Sequence, residues 1–577
     1  MVVRVLVRGG VGLGAGCWLA AAATAAPLTT PVPPSPGLVR SLAAFERDLQ
    51  DLDGALRPGA ASTALPFSLS DPALRPPAPL AAPTTSAAAD QAQERMLSLA
   101  QALAVAVANN PELAERRARI NEMRGLKRSV QGRFWPQLAL NLGGSFAQRS
   151  DYNLVLQDNA GLYKPLPVYK PNPADPTSPT QTKGFVNSPF LVEPNGWNRI
   201  QANRGGGWGS LDLDWELISF ERGAALAEQD QRLSASLQQY GDALRQLQLQ
   251  VSETYYGLQL ADQLLRIREA VVRNDALVRD QVGALKRSGL VPRLDLLRAE
   301  AALQQSRFRQ EQAEALRQSR RQALTNLLNV AFTTLLRART DVALQPPWPL
   351  PLDATVVAGL RDNPALEQLS AERQALLRQA DRRQAQLLPS LKLFAAGGGG
   401  ADVLSKPVID LNGCCAASNI PQLSSQSADW VAGLRLHWRL FDAGVSAGEA
   451  QASRSAAEAV LQRLARQRNQ IRQELETAFY DYRASLSQLA AAEASYQASR
   501  EAFRDARARY QLGLADYTDV SETITLLTRS MEGIAESTTL ANVSYARMLR
   551  QLQPVPVQPE QQPNLPLTLP EAALAPP

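Results

Sequence analysis

Two short runs of charge carry the spacing that could do chemistry: Asp212, Asp214 and Glu216 in one segment, and Arg435, His437 and Arg439 in another. A spacing of two puts each set on one face of a β-strand, where acids draw cations and bases draw anions. His437 is the only histidine in the chain and stands between two arginines. With no cysteine or acidic triplet at ligand spacing around it, a side chain facing a lumen is its expected role, not a metal ligand or a general base. No Gly-x4-Gly-Lys-Ser/Thr run occurs to cradle a nucleotide's phosphates. The runs Gly205 to Gly207 and Gly397 to Gly400 adjoin strand patterns, where glycine permits sharp turning or close backbone approach. No enzyme, no cofactor and no metal site is expected.

Four strands must position these charges. Leu138, Leu140 and Leu142 alternate with Ala139, Asn141 and Gly143, and Leu211, Leu213, Trp215 and Leu217 alternate with Ser210, Asp212, Asp214 and Glu216. Later, Leu391 and Leu393 alternate with Ser390 and Lys392, and Leu434, Leu436, Trp438 and Leu440 with Gly433, Arg435, His437 and Arg439. One face is apolar and the other polar. A sheet over a soluble core alternates in the same way, but lengths near 10 residues and a tryptophan near two strand ends suit a membrane barrel.

The strands belong to a duplication. Asn110-Pro111 recurs as Asn363-Pro364 and Trp135-Pro136 as Leu388-Pro389, both at a spacing of 253. Farther on, Tyr255-Tyr256 answers Phe479-Tyr480, Ser288-Gly289-Leu290 answers Leu512-Gly513-Leu514, and Asp295 answers Asp519, at 224. The 29 extra residues fall between Arg149 and Trp208, in a long Pro/Tyr/Asn-rich loop. Residues 91–345 form the first repeat, with a loop at 150–206, and 346–552 the second, with a loop at 401–429. Each reads as medium helix, strand, strand, very long helix, tight turn, medium helix. The first helices are predicted over 97–135 and 354–388, stopped by Pro136 and Pro389.

The long helices should run from near Gly223 to Gly289 and from near Gly444 to Gly513. Leu237, Leu244, Val251, Leu258, Leu265 and Val272 recur every seven residues, as do Leu461, Leu475, Tyr482, Leu489, Tyr496, Phe503 and Tyr510 apart from Arg468. Sustained sevens predict coiled-coil packing. A helix of that size, at about 1.5 Å per residue, is a rod on the order of 100 Å long.

The 60 basic and 55 acidic residues are interspersed, so a nucleic-acid partner is not favoured. Residues 1–25 carry Arg4 and Arg8, an apolar stretch and Ala23-Thr24-Ala25, the pattern of a signal peptide. Residues 26–90 read as a Pro/Ala-rich flexible extension and 553–577 as a Pro-rich tail. No later segment offers 18 consecutive apolar residues to span a bilayer as a helix. Apart from Cys17 in the leader, Cys414 and Cys415 are the only cysteines, too few for a disulfide framework.

Lipid tolerates no open sheet edge, and four strands are fewer than the eight of the smallest membrane barrels, so several chains must share the closure. Three chains would give twelve strands and a hollow lumen lined by Asp212, Asp214, Glu216, Arg435, His437 and Arg439. Two would give eight and a filled one.

The order of Asn-Pro openers, Pro-terminated helices, Trp-x-Leu strand exits and Gly-x5-Asp tips, present twice over residues 91–551, resembles the TolC family of outer-membrane efflux channels. The resemblance implies a mainly α chain with a β-barrel: a homotrimer whose twelve-stranded barrel in the outer membrane of a diderm bacterium continues as a periplasmic tunnel of coiled helices. It implies outer-membrane lipid, a periplasmic adaptor protein and, through that adaptor, an inner-membrane transporter as partners, in a tripartite pump or a type I secretion system. By the same resemblance, Gly289, Leu290, Gly513 and Leu514 at the helix tips meet the adaptor, and Asp295, Asp519 and Glu522 lie at the periplasmic entrance. Asp295 and Asp519 would also suit plain helix starts, where a carboxylate favours the dipole. The sequence departs from the family at Ala515, where a basic latch residue is expected. A structural or adhesin rod without transport is the alternative, and an intracellular coiled-coil scaffold ranks last.

Overall fold

The computed structural model describes residues 47–54, 71, 74–76, 94–155, 166–172, 175–186, 196–289, 291–340, 342–404, 408–411, 422–511, 514–515, 517–556, 558–561 and 565–569. The predicted signal peptide, most of the predicted extension, Cys414, Cys415, Leu290 and Gly513 lie outside them. The chain forms two compact units. One holds the chain up to Leu52 together with Ile267–Gln310 and Glu493–Glu532; the other holds Asp53–Arg266, Glu311–Ala492 and Gly533–Pro577.

The first repeat opens with strand β1 (Glu94–Leu97) and helices α1 (Leu99–Asn109) and α2 (Pro111–Gly132). Strands β2 (Gln137–Val155), β3 (Leu166–Asn172), β4 (Asp175–Val186) and β5 (Gly196–Ile218) follow, then helices α3 (Phe220–Arg287) and α4 (Arg293–Leu327). After β6 (Leu335–Ala338), the second repeat gives α5 (Leu352–Leu360), α6 (Pro364–Ala385), β7 (Ser390–Leu404), β8 (Val408–Leu411), β9 (Leu423–His437), α7 (Val445–Gln511) and α8 (Tyr517–Leu552).

The single helix predicted at the start of each repeat is two. Asn110 sits at φ −66°, ψ 121° and Asn363 at φ −79°, ψ 118°, because a following proline pushes its predecessor out of the helical region. Each asparagine then caps the next helix: Oδ1 of Asn110 accepts from the Leu113 N–H at 3.0 Å, and that of Asn363 from the Ala365 N–H at 3.1 Å.

The strands outrun the predicted ten residues, at 19 for β2, 23 for β5 and 15 each for β7 and β9. The loop placed at 150–206 is strand at both ends and contains the β3–β4 hairpin; the one at 401–429 is shortened likewise, and β8 pairs with β5. Apolar alternation marks only the part of a strand that needs an apolar face, while the backbone ladder continues through polar residues without that signal. The sheet order is β2-β5-β7-β9, antiparallel throughout, with β2 and β5 in unbroken register from Gln137↔Asp214 to Val155↔Gly196. A parallel pair, β1 with β6, ties the start of the first repeat to its end.

Each repeat has its own core within the larger unit. Leu103, Leu113, Ile120, Tyr240, Leu244, Val251, Tyr255 and Leu258 form one, and Ile471, Leu475, Tyr482, Tyr545 and Met548 the other. Tyr255 and Tyr256 meet edge to face at 6.3 Å, and Phe479 and Tyr480 at 6.2 Å, so the duplicated aromatic pair keeps its geometry. The seven-residue seam of α3 is buried from Leu244 to Leu265. In α7 it fails before Arg468: Leu461 is exposed, whereas Ala457, Val460, Ile471, Leu475 and Ala478 are buried. From Ile471 to Leu475 the buried stripe steps by four, a local change of period that a strict count of sevens misses.

Candidate functional site: the sheet wall and the helix tips

The two faces of the sheet differ in kind. On one, Leu138, Leu140, Leu142, Phe146, Leu211, Trp430, Leu434 and Leu436 are exposed, Leu142 at 74% and Trp430 at 82%. On the other, backbone register lines up Asp214 with Gln137 and Phe394, Glu216 with Lys392, Lys392 with Arg435, and Ser390 with His437. In the outer part of β9, Ser425, Ser427, Asp429, Val431 and Gly433 are half-buried while Ala428, Trp430, Ala432 and Leu434 between them are open; nearer the helices Arg435 and His437 are exposed as well. A sheet that covers a soluble core keeps its apolar face from the surroundings, and here that face is open along β2 and β9.

Side chains crowd the polar face. Trp208 lies over Gly143 so closely that a Cβ there would stand 2.7 Å from its indole, and a Cβ on Gly433 would stand 3.0 Å from the Phe394 ring. The Arg435 guanidinium lies over the Phe394 ring at 5.0 Å. Asn141 and Ser210 both donate to Oδ2 of Asp212, the latter at 3.1 Å. Farther along the strands, Arg204 Nη2 and Asp402 Oδ2 pair at 2.6 Å. Asp212, Asp214, Glu216, Arg435 and His437 therefore share the expected face. Arg439 does not lie on the ladder, because β9 ends at His437 opposite Ser390. The residue before Ser390 is Pro389, which has no N–H to extend the pairing.

Both strand-exit tryptophans have a partner that sequence reasoning missed. Trp215 Nε1 donates to the Phe134 carbonyl at 3.0 Å and Trp438 Nε1 to the Leu387 carbonyl at 3.1 Å. Each indole thus satisfies a carbonyl freed where proline stops the preceding helix. The recurrence of tryptophan with the Pro-terminated helix in both repeats is the signal that could have revealed it. Arg222 reinforces the first junction, stacking on Phe134 at 4.1 Å and donating to the carbonyls of Arg133, at 2.9 Å, and Glu216. In the second repeat Asp442 caps α7 instead, accepting from the N–H groups of Gly444 and Ser446 at 3.0 and 2.8 Å. The Ser446 side chain first, and then these backbone donors, hold its carboxyl below the usual aspartate range.

The helix tips lie in the smaller unit. Gly289 has φ +76°, a left-handed turn that glycine adopts without strain, and Leu514 is 74% exposed. Asp295 stands in the first turn of α4, 3.7 Å from Arg298, and Asp519 in the first turn of α8; Asp519 and Glu522 are exposed. Below them Val278, Val282, Ala299 and Tyr517 form a small core against Leu296 and Tyr510. Beside that core Asp275 is pushed up to about 6 by burial, partly offset by hydrogen bonds from Ser306 and Asn274. Burial also raises the Tyr510 and Tyr517 hydroxyls, with Asp295 and Asp275 respectively adding to the shift.

Among the described residues no group of His, Cys, Asp and Glu could hold a metal, and no helix is long and apolar enough to cross a membrane. Residues 357–550 match the family described as Outer membrane efflux protein. The second repeat is thus similar to an outer membrane efflux protein domain. The domain's match ends near the end of α8 and includes α6, the strands β7 to β9 and the long helix α7. No curated protein matches the chain by sequence. Among solved structures, the outer-membrane channel OprN matches at a TM-score of 0.57 and 18% identity, over 85% of this chain and 99% of that one. The outer-membrane protein VceC from Vibrio cholerae matches at 0.56 and 15%, over 79% and 95%. The Campylobacter jejuni outer-membrane channel CmeC matches at 0.57 and 15%, over 86% and 94%. At these identities the likeness is one of fold, and it extends over both repeats.

Proposed function

We propose that the protein is an outer-membrane efflux channel, a passive conduit from periplasm to exterior. The observation that carries this reading is the four-stranded β2-β5-β7-β9 sheet, with an exposed apolar face, a charged opposite face and, among the described residues, no strand beyond either β2 or β9. Lipid suits the first face and water the second, and the two unpaired edges call for neighbours. Three copies supply twelve strands, and the long helices below them form the periplasmic tunnel.

In this reading Gly289, Leu290, Gly513 and Leu514 meet a periplasmic adaptor that links the channel to an inner-membrane transporter of a tripartite pump or a type I secretion system. Asp519 and Glu522, exposed on the first turns of α8, gather about the threefold axis at the entrance. Asp295, half-buried and paired with Arg298, acts first as a helix-start charge. Ala515 leaves the second tip without a basic latch, so closure there falls to other contacts.

Reconstitution in planar bilayers tests the conduit directly. Discrete ionic conductance is expected from the detergent-purified protein, whereas a structural or adhesin rod gives none. Leu514→Asp is expected to abolish export in cells while leaving the yield of trimer unchanged; undiminished export removes the tips from the adaptor contact.

A further inference from the structure

The charges on the polar face are sorted by strand. In the rows nearest the helices, β5 carries Asp212, Asp214 and Glu216 and no base. In the same rows β7 and β9 carry Lys392, Arg435 and His437 and no acid, with Arg439 just past the ladder. β2 contributes only Gln137, Ala139 and Asn141 opposite the acids. The sorting follows the duplication, since the first repeat supplies the acidic strand and the second the basic pair. It ends one row farther on, where Asp429 of β9 aligns with Gly398.

The opposed charges are not cancelled by contact. Lys392 is in register with both Glu216 and Arg435, yet among the ion pairs of the described residues Glu216 is joined to neither base. Arg435 spends its cation on the face of Phe394 instead, and the Asp212 carboxylate is held by neutral donors, Asn141 and Ser210. Adjacent strands lie about 4.8 Å apart, so one chain's four strands cover an arc of roughly 20 Å. Within that arc the acids of β5 stand one to two spacings, about 5 to 10 Å, from the bases of β7 and β9, close to the screening length of about 8 Å at physiological salt, so each sign of potential dominates only beside its own strand.

We propose that the barrel's lower wall is electrically segmented, with acidic β5 sectors alternating with basic β7–β9 sectors around the lumen. Such a wall fits solutes that carry a cationic and an anionic group together, such as amino-acid-like or peptide zwitterions, and gives no advantage to a single sign of charge. The inference rests on the trimeric-barrel reading.

Charged thiol reagents read the two sectors separately, in a Cys414→Ser/Cys415→Ser background of the full-length trimer. Gln137→Cys places a thiol beside Asp214, and Ser390→Cys places one beside Lys392 and His437. Each is reacted with a trimethylammonium-ethyl and a sulfonato-ethyl methanethiosulfonate, and the ratio of cationic to anionic rates is taken. That ratio is expected to be about tenfold higher at position 137 than at 390 in 0.15 M salt, and to converge at 1 M, where the screening length is about 3 Å. Adding Asp214→Asn and Glu216→Gln should pull the ratio at 137 down towards that at 390, a change that a purely steric effect would not produce. Equal ratios at two reactive thiols overturn the segmentation while leaving the channel intact. If neither thiol reacts in trimers that retain heat-modifiable mobility, these faces line no water and the channel reading falls as well.

Discussion

Single hydrogen bonds at strand ends and single buried acids near the tips decide much of the local behaviour of this chain. Trp438→Phe keeps the ring and removes the donor to the Leu387 carbonyl, so a loss of about 1 kcal/mol is expected, read as a lower denaturant midpoint of the detergent-solubilised protein. An unchanged midpoint would mean that water replaces the indole. Asp275 gives a pH signature. Its folded pKa, about 6, lies above the ordinary aspartate value of 3.8, so the folded state binds the proton more tightly than the unfolded one. Stability from this group is therefore complete below about pH 4 and is lost as pH rises through about 6. Asp275→Asn should melt at a higher temperature than the parent at pH 7.5 and together with it near pH 4. Equal melting at both pH values would place Asp275 in water.

At the scale of elements, the glycine run in β7 shows what the sequence can and cannot say. A Cβ on Gly399 would stand 2.6 Å from the Ser427 carbonyl oxygen and one on Gly398 2.6 Å from that of Gly209, whereas Gly397 has nothing nearer than 3.8 Å. Gly399→Val is expected to cut the yield of heat-modifiable trimer severely, and Gly397→Val to leave it near the parent's; similar yields would remove close backbone approach as the reason for the run. The sequence offered close approach as one of two readings, and only register decides it glycine by glycine. Elements with strong punctuation were legible: Gly289 places the first tip, and α3 and α7 end within a few residues of where glycine put them. The helix break at Asn110 was not, although Pro111 signalled it, because the apolar period runs on across the proline. The outer parts of β2 and β5 were hidden because polar strand and polar loop share a composition.

For the whole molecule, the charged rows Asp212 to Glu216 and Lys392 to Arg435 were readable as one face from their spacing of two, but their partners were not, since register between distant strands leaves no mark in sequence. The duplication carried most of the architecture, because two copies of one helix and strand order are hard to satisfy by chance. What it left to the structure was the order β2-β5-β7-β9, which sets the first repeat's hairpin beside the second's and leaves β2 and β9 as the edges that a neighbouring copy can pair. The account therefore depends on those edges meeting. Electron microscopy of the detergent-purified protein measures this most directly: a hollow, threefold particle with twelve strands in its barrel is predicted, with β9 of each copy hydrogen-bonded to β2 of the next. Single chains dispersed without surfactant, or an assembly in which β2 and β9 stay unpaired around no lumen, would contradict it.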